Sequence, residues 1–154
     1  MTLADHPRAL ALWEAAEGVY VNERDDAPEG IAGYLARNPG TCFVAEDAGT
    51  VIGVILAGHD GRRGFLYHLA VAEEARLRGT GAALVRAALD ALKSAGIRRV
   101  GLLTFGGNEA GNAFWQRQGF AARETWLYRD RQIIEPEPKA PPAEVSEPAV
   151  PAQD

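Results

Sequence analysis

The residues with the clearest chemical potential lie in a short segment that joins a predicted strand to a predicted helix. The segment reads Arg76-Leu77-Arg78-Gly79-Thr80-Gly81 and follows an apolar run that ends at Val71. The first turn of the helix contains no acidic residue, so its free N–H groups and positive dipole end suit a phosphate or pyrophosphate. The glycines allow close approach of the backbone, and the arginines add positive charge. The segment therefore predicts a phosphate-binding loop.

Two common nucleotide-binding motifs are absent from this region. A dinucleotide fingerprint needs a third glycine where the chain has Leu84, and an acidic residue after the next strand where it has Thr104-Phe105. A Walker loop needs Gly-Lys-Ser/Thr, but neither Lys93 nor Lys139 follows a glycine. A nicotinamide cofactor and NTP hydrolysis are therefore disfavoured.

The same segment resembles the acyl-CoA pyrophosphate motif, Arg/Gln-x-x-Gly-x-Gly/Ala, of the GNAT superfamily of N-acetyltransferases. A second block is similar to that family's later Asn-x-x-Ala-x-x-Phe-Tyr-x-x-x-Gly-Phe segment, and reads Asn108-x-x-Gly111-x-x-Phe114-Trp115-x-x-x-Gly119-Phe120. Two motifs in the expected order are a more specific signal than either alone. The chain thus resembles small bacterial members of this superfamily, of unassigned substrate, over residues 3–132.

The resemblance implies that acetyl-CoA is the acyl donor and that backbone groups make most of its contacts. In the family, acyl-CoA lies between two splayed parallel strands, here expected at 65–71 and 99–105. Asn108 would hydrogen-bond the pantetheine or adenosine portion, and Phe114 would pack beside the cofactor. The other implied contacts come from the first strand and the loop after it: Leu69, Ala70, Val71, Arg76, Leu77, Arg78, Gly79, Thr80, Gly81 and Ala82.

Acetyl transfer to an amine requires a base, a donor for the oxyanion and a departing thiolate. His68 and Tyr67 lie on the central strand and are expected to point to opposite faces, so that one faces the acceptor and acts as base. The competing interpretation of His68 is a hydrogen-bonded core residue. Trp115 replaces the family's common tyrosine, and its indole N–H can donate a hydrogen bond to the thiolate but cannot release a proton. Tyr128 is an alternative donor, and Glu17 an alternative group for binding or deprotonating the amine.

The elements that must position these residues follow from apolar periodicity. Helices are expected over 5–16, 28–38, 79–95 and 108–118, and strands over 41–45, 51–57, 65–71 and 98–105, with one or two closing strands between 120 and 132. This order predicts an α/β fold with a GNAT-like mixed, mostly antiparallel twisted sheet, splayed central strands and about four helices.

The start of the chain departs from the family pattern. Only Met1-Thr2-Leu3 precede the first expected helix, so the first edge strand is missing or vestigial, or the true start lies upstream. A missing strand leaves 41–45 as an exposed edge, which a homodimer could cover. Trp13 and Trp126 are interpreted as packing residues.

Composition limits the class of protein. The chain has 154 residues, of which 47% are hydrophobic and 24% charged, as expected for one globular domain. Its 21 acidic and 16 scattered basic residues disfavour a nucleic-acid partner. Neither an apolar run of about 18 residues nor a signal sequence is present, so we expect a cytoplasmic protein without a membrane partner. One cysteine and three histidines give no disulfide and no cluster with metal-ligand spacing, so no metal is expected.

The composition changes near residue 135. We expect an N-acetyltransferase domain at 1–134 and a disordered tail rich in proline and glutamate at 135–154, which holds six of the nine prolines. The acceptor amine stays open between small molecules and proteins. Two alternative functions also stay open: a non-catalytic acyl-CoA-binding or sensor module, suggested by Trp115, and an interaction protein that acts through its tail.

Overall fold

The computed structural model describes residues 1–123, 125 and 127–134. Met1–Ala122 form one compact unit, and the residues from Arg123 onward belong to a separate unit. The helices of the first unit are α1 (His6–Glu14), α2 (Pro28–Arg37), α3 (Thr80–Ser94) and α4 (Glu109–Arg117), with short 3-10 helices at Leu3–Asp5 and Glu73–Ala75. Its strands are β1 (Phe43–Asp47), β2 (Thr50–His59), β3 (Gly64–Val71) and β4 (Val100–Leu102). Within these described ranges, no helix combines the length and the apolar character needed to cross a bilayer.

The strands form one sheet in the order β1-β2-β3-β4. β1 pairs with β2 and β2 with β3 in antiparallel fashion, whereas β3 and β4 are parallel. This arrangement confirms the predicted mixed, mostly antiparallel sheet with flanking helices. Leu3–Asp5 form a 3-10 helix, and no strand precedes α1 in the described chain, so β1 is an edge of the sheet as predicted.

Each face of the sheet carries its own apolar cluster. The α3 face buries Ile55, Ala57, Leu66, Leu84, Val85, Ala88, Leu92 and Ile97. The face covered by α1 and α2 buries Ala9, Trp13, Ile31, Cys42, Val54, Leu56 and Ala70. β2 lies between α3 on one face of the sheet and α1 and α2 on the other. Both of its faces are therefore buried, which explains its nearly continuous apolar sequence.

The parallel pair β3–β4 is short, which opens the sheet on one side. Pairing is limited to Gly64, Phe65 and Leu66 against Val100–Leu102. The edge of β3 that faces β4 therefore lacks a partner strand at 69–71 among the described residues. The predicted splay of the central strands is present.

The strand predicted at 98–105 is shorter than expected because its second half is held by α4. The side-chain amide of Asn112 donates to the carbonyl oxygens of Phe105 at 3.0 Å and Gly106 at 3.3 Å. The hydroxyl of Thr104 donates to Asn112 Oδ1 at 2.6 Å. Two carbonyl oxygens after β4 are therefore bonded by a helix side chain instead of a neighbouring strand.

The closing strands predicted between 120 and 132 are wrong for the described residues of that range. Residues 121–123 and 127–132 have no strand conformation, and Thr125 lies in a turn. Leu127 and Tyr128 are 80% and 70% exposed, so the segment lacks the buried face that stabilises a strand. Trp126 and the predicted tail at 135–154 lie outside the described residues, and the domain boundary at 134 stays a prediction.

Leu92 tests the cluster beneath α3, since its side chain is 0% exposed. Leu92→Ala is expected to lower the free energy of unfolding by about 2–5 kcal/mol, because it removes buried methyl groups and leaves a cavity. Urea denaturation measures this loss. The matched control is Leu127→Ala, at a side chain 80% exposed, which should change stability by no more than about 0.5 kcal/mol. Equal losses for the two variants would contradict the packing described.

Candidate active site

The backbone of β3 is distorted at its middle. His68 has a φ of 54°, in the left-handed region that non-glycine residues rarely adopt. On either side of it, Tyr67 pairs with Leu56 whereas Ala70 pairs with Val54, so β3 holds one residue more than β2 between the two pairs. His68 therefore forms part of a β-bulge, a feature that redirects side chains.

The bulge overturns the prediction that Tyr67 and His68 point to opposite faces. The His68 ring packs edge-on against Trp13 of α1, with centroids 4.9 Å apart. The Tyr67 ring packs against Tyr34 of α2, with centroids 6.2 Å apart. Both side chains thus lie on the face covered by α1 and α2, while Leu69 packs against the α3 cluster. Strict alternation holds only in a regular strand, and the extra residue shifts it by one position.

Two groups outside the sheet hold the bulged residue. The indole N–H of Trp13 donates to the carbonyl oxygen of His68 at 3.0 Å. The imidazole Nε2 of His68 lies 2.8 Å from Oδ1 of Asp26, and the two side chains are only 18% and 7% exposed. Both the backbone and the side chain of His68 are therefore fixed from the α1–α2 side.

Asp26 is itself held by the connection between α1 and α2. Its Oδ2 accepts the backbone N–H of Asn22 at 2.7 Å. Its backbone carbonyl oxygen lies 2.8 Å from Nε2 of His6. The side chain of Asn22 accepts the N–H groups of Arg24 and Asp25 at 2.9 and 3.0 Å, which closes the loop around Asp26.

The charge of Asp26 follows from these contacts. Burial alone would raise the pKa of its carboxyl, but the contact with His68 and the N–H of Asn22 outweigh burial, and the pKa lies below its usual value. Asp26 is therefore an anion at neutral pH.

The loop after β3 leads directly to the start of α3. Gly79 precedes the helix with a φ of 87°, no side chain caps the helix, and its first turn contains no acidic residue. The N–H groups of residues 80–82 consequently have no acceptor within the helix. Arg76 donates through Nε to the carbonyl oxygen of Val71 at 3.3 Å, which places it at the end of β3. Leu77 is fully exposed and, with a φ of 59°, also left-handed. The structure thus brings the predicted loop next to the unpaired edge of β3.

The start of α4 contacts two of the neighbouring elements. A Cβ at Gly81 of α3 would lie 3.4 Å from the ring of Phe114, so this aromatic side chain borders the loop, and its contact with the cofactor stays a prediction. Asn108 Oδ1 accepts the N–H of Gly111 at 2.8 Å and caps α4. Nδ2 of Asn108 lies against Gly18 in the α1–α2 connection. The cofactor contact implied for Asn108 stays a prediction, since its Oδ1 already serves the helix.

Arg78 faces a different part of the molecule. With Glu46 and Arg86 it lines an open groove of about 650 Å³ between β1 and α3, which Gly79 and Thr80 also line. This groove lies at the β1 edge of the sheet, whereas the unpaired backbone groups lie on the opposite side, at β3. The free N–H groups at the start of α3 and the edge of β3 at 69–71, and not this groove, define the candidate site.

The contacts of the other predicted catalytic residues do not indicate a role for them. These residues are Trp115, Glu17 and Tyr128. The Trp115 ring packs between Phe114 and Phe120, at centroid distances of 5.1 and 5.3 Å. Its indole N–H makes no hydrogen bond to a described residue. Glu17 is exposed in the turn after α1, and Tyr128 belongs to the second unit. The catalytic roles of Trp115, Glu17 and Tyr128 stay predictions.

Sequence reasoning missed Asp26 and assigned Trp13 to packing alone. Asp26 follows Asp25 in a charged stretch, and nothing local distinguishes the buried carboxylate from its exposed neighbour. Trp13 is buried at helical spacing, and its N–H partner lies 55 residues away. Only the folded chain shows these two contacts.

Comparison with known proteins places the chain among acetyltransferases. The model of the acetyltransferase (GNAT) family matches residues 7–120. An acetyltransferase of Photorhabdus laumondii is 30% identical over 135 residues, which cover 86% of this chain and 93% of the relative. A putative acetyltransferase from Agrobacterium tumefaciens is 27% identical, with a TM-score of 0.67 and coverage of 86% of this chain and 96% of that one. AAC(6')-Iy, in complex with the bisubstrate analogue CoA-S-monomethyl-acetylneamine, shares the fold at 21% identity, with a TM-score of 0.68 and coverage of 86% and 95%.

Trp13 provides a test of the bulge. Trp13→Phe keeps an aromatic ring in the core but leaves the His68 carbonyl oxygen without its donor, so stability should fall by about 1–3 kcal/mol beyond the loss of ring volume. The matched control is Trp115→Phe, since the indole N–H of Trp115 donates to no described residue. Thermal and urea unfolding of both variants compare them. An equal loss for Trp115→Phe would show that the Trp13 hydrogen bond is not what stabilises the bulge.

Proposed function

The chain belongs to the GNAT family of acetyltransferases, and we propose that it transfers the acetyl group of acetyl-CoA to a primary amine of a small molecule or protein. The observation that carries the acetyl-CoA assignment is the edge of β3 at 69–71, which lacks a partner strand on the β4 side and leads to the free N–H groups at the start of α3. The pantetheine arm contains amide groups that can pair with such an edge as another strand would. Its pyrophosphate suits the N–H groups of residues 80–82.

The charges around this path support the same assignment. The loop carries Arg76 at the end of β3, while the first turn of α3 lacks an acidic residue. A dianionic pyrophosphate is stabilised by such a positive field. Few charged side chains are needed, because backbone N–H groups supply most of the hydrogen bonds.

We assign the general base to His68. Its Nε2 contacts Asp26, whereas Nδ1 makes no hydrogen bond to a described residue and is available to accept a proton. Tyr67, 43% exposed on the same face, is the second candidate, and Glu17 the third. The amine nitrogen attacks the thioester carbonyl carbon, its proton passes to the base, and the C–S bond breaks. The thiolate can leave with only a hydrogen bond, because thiols have a pKa of about 8.5, and the indole N–H of Trp115 is the donor we assign to it.

The direct test of this function is release of free CoA thiol in the presence of a panel of primary amines. Acetyl-CoA-dependent release that requires one class of amine, with a stoichiometric acetylated product by mass spectrometry, would support the proposal. Binding of acetyl-CoA without turnover on any amine would instead favour the non-catalytic sensor.

Gly81 tests the position of the pyrophosphate. Gly81→Glu places a carboxylate at the start of α3, where it suits the helix dipole and meets Phe114 at ordinary contact distance, so the fold should persist. The same charge repels a pyrophosphate, and affinity for CoA measured by calorimetry should fall on the order of 100-fold or more. Gly33→Glu in α2, where a side chain meets open space, is the control and should bind normally. Normal affinity of the Gly81 variant would refute the site.

His68 tests the base. His68→Asn removes the imidazole while keeping a residue that tolerates a positive φ, so the bulge should persist. Turnover should fall roughly 10²- to 10⁴-fold, and acetyl-CoA affinity should survive because backbone groups hold the donor. Tyr67→Phe is the comparison on the same face. Normal turnover in the His68 variant with a large loss in the Tyr67 variant would transfer the role to Tyr67.

A further inference from the structure

Asp26 is a buried carboxylate whose surroundings fix it in one orientation. Each of its oxygen atoms has a separate partner: Oδ1 faces Nε2 of His68, Oδ2 accepts the N–H of Asn22, and the carbonyl oxygen faces Nε2 of His6. Burying an ionised carboxylate costs free energy unless its oxygens are paired. The loop from 22 to 26 thus directs an anion at one nitrogen of His68.

We propose that Asp26 is a positioning residue for catalysis, which fixes the protonation of His68 and stabilises the imidazolium formed during acetyl transfer. An anionic oxygen 2.8 Å away repels a lone pair on Nε2 and attracts a proton there, so Nε2 carries the proton. Nδ1 then holds the lone pair and accepts the proton of the attacking amine. The inference rests on the proposed assignment of His68 as base.

The proposed acetyl-transfer step accounts for every bond and proton. The amine nitrogen forms its bond to the acetyl carbon and loses a proton to Nδ1 of His68, while CoA departs as the thiolate. His68 is then cationic and lies against the anionic Asp26, whose charge needs no reorganisation at that moment. The proton returns to solvent or to the thiolate, which restores the neutral imidazole.

The groups that face His68 determine the expected pH dependence. From the α1–α2 connection comes Asp26, from the start of α1 comes His6 behind Asp26, and from β3 itself comes Tyr67. Trp13 of α1 contacts the ring but does not titrate. Asp26 is the anion in contact with His68 in the described chain, so removing its charge disfavours the protonated imidazole. The acidic limb of the pH–rate profile then moves to lower pH.

Asp26→Asn is the test, with Asp25→Asn as the matched control. The first variant removes the charge that contacts His68, and the second removes the same charge at the exposed neighbouring residue. For Asp26→Asn, kcat should fall on the order of 100-fold, KM for acetyl-CoA should stay within about twofold, and the acidic limb should move to lower pH. Asp25→Asn should leave all three unchanged. A purely structural role would lower stability without moving the acidic limb.

A double variant separates this inference from the assignment of the base. With His68→Asn already present, adding Asp26→Asn should cost no further turnover, because Asp26 acts through His68. If His68→Asn is inactive while Asp26→Asn keeps normal kcat and an unmoved acidic limb, His68 is the base and the role proposed for Asp26 is overturned. If His68→Asn itself is fully active, the base assignment fails first.

Asp26→Glu keeps the test decisive if Asp26→Asn does not fold. The longer side chain retains the anion but shifts its position, so turnover should fall while the acidic limb stays at its wild-type pH. Leu92→Val, which weakens the opposite cluster, controls for stability loss and should leave the acidic limb in place. An acidic limb that moves to lower pH in Asp26→Glu, although the anion is retained, would overturn the proposal.

Discussion

The site depends on one strained residue held in place from outside the sheet. A left-handed non-glycine residue inside a strand costs about 1–3 kcal/mol, and at His68 the N–H of Trp13 and the carboxylate of Asp26 offset this cost. Leu66 is the last residue of β3 that pairs with β4, and the bulge follows two residues later. The contacts of Trp13 and Asp26 with His68 therefore lie directly after the point at which β3 stops pairing with β4.

The same distortion separates two chemical tasks. Because the bulge shifts the alternation of side chains, Tyr67 and His68 both face α1 and α2, while Leu69 turns to the α3 cluster. The imidazole and its partner carboxylate thus lie on the face covered by α1 and α2, where the proposed base would accept the proton of the amine. The unpaired backbone of β3 and the start of α3 provide the path proposed for acetyl-CoA. A regular strand would place only one of Tyr67 and His68 on the amine side.

The extent to which the sequence predicts this arrangement depends on the range of the interactions involved. The loop at 76–82, the helices around it and the strands before it follow from local apolar spacing and glycine positions, and these predictions agree with the structure to within a few residues. The bulge cannot be predicted from local spacing. Trp13, which donates a hydrogen bond to the carbonyl oxygen of His68, lies 55 residues away in the chain. Asp26 was missed for the same reason, and β4 ends early because Asn112, on the following helix, binds the backbone of the preceding segment.

Backbone amide exchange with and without CoA tests the central claim most directly, since the claim concerns free N–H groups of β3 and α3. The account predicts that CoA slows exchange at Leu69–Val71 and at residues 80–82, while the amides of β1 along the groove that Arg78 and Arg86 line keep their rates. Protection confined to that groove, with unchanged exchange along β3, would contradict the account and move the acyl-CoA site to the β1 edge of the sheet.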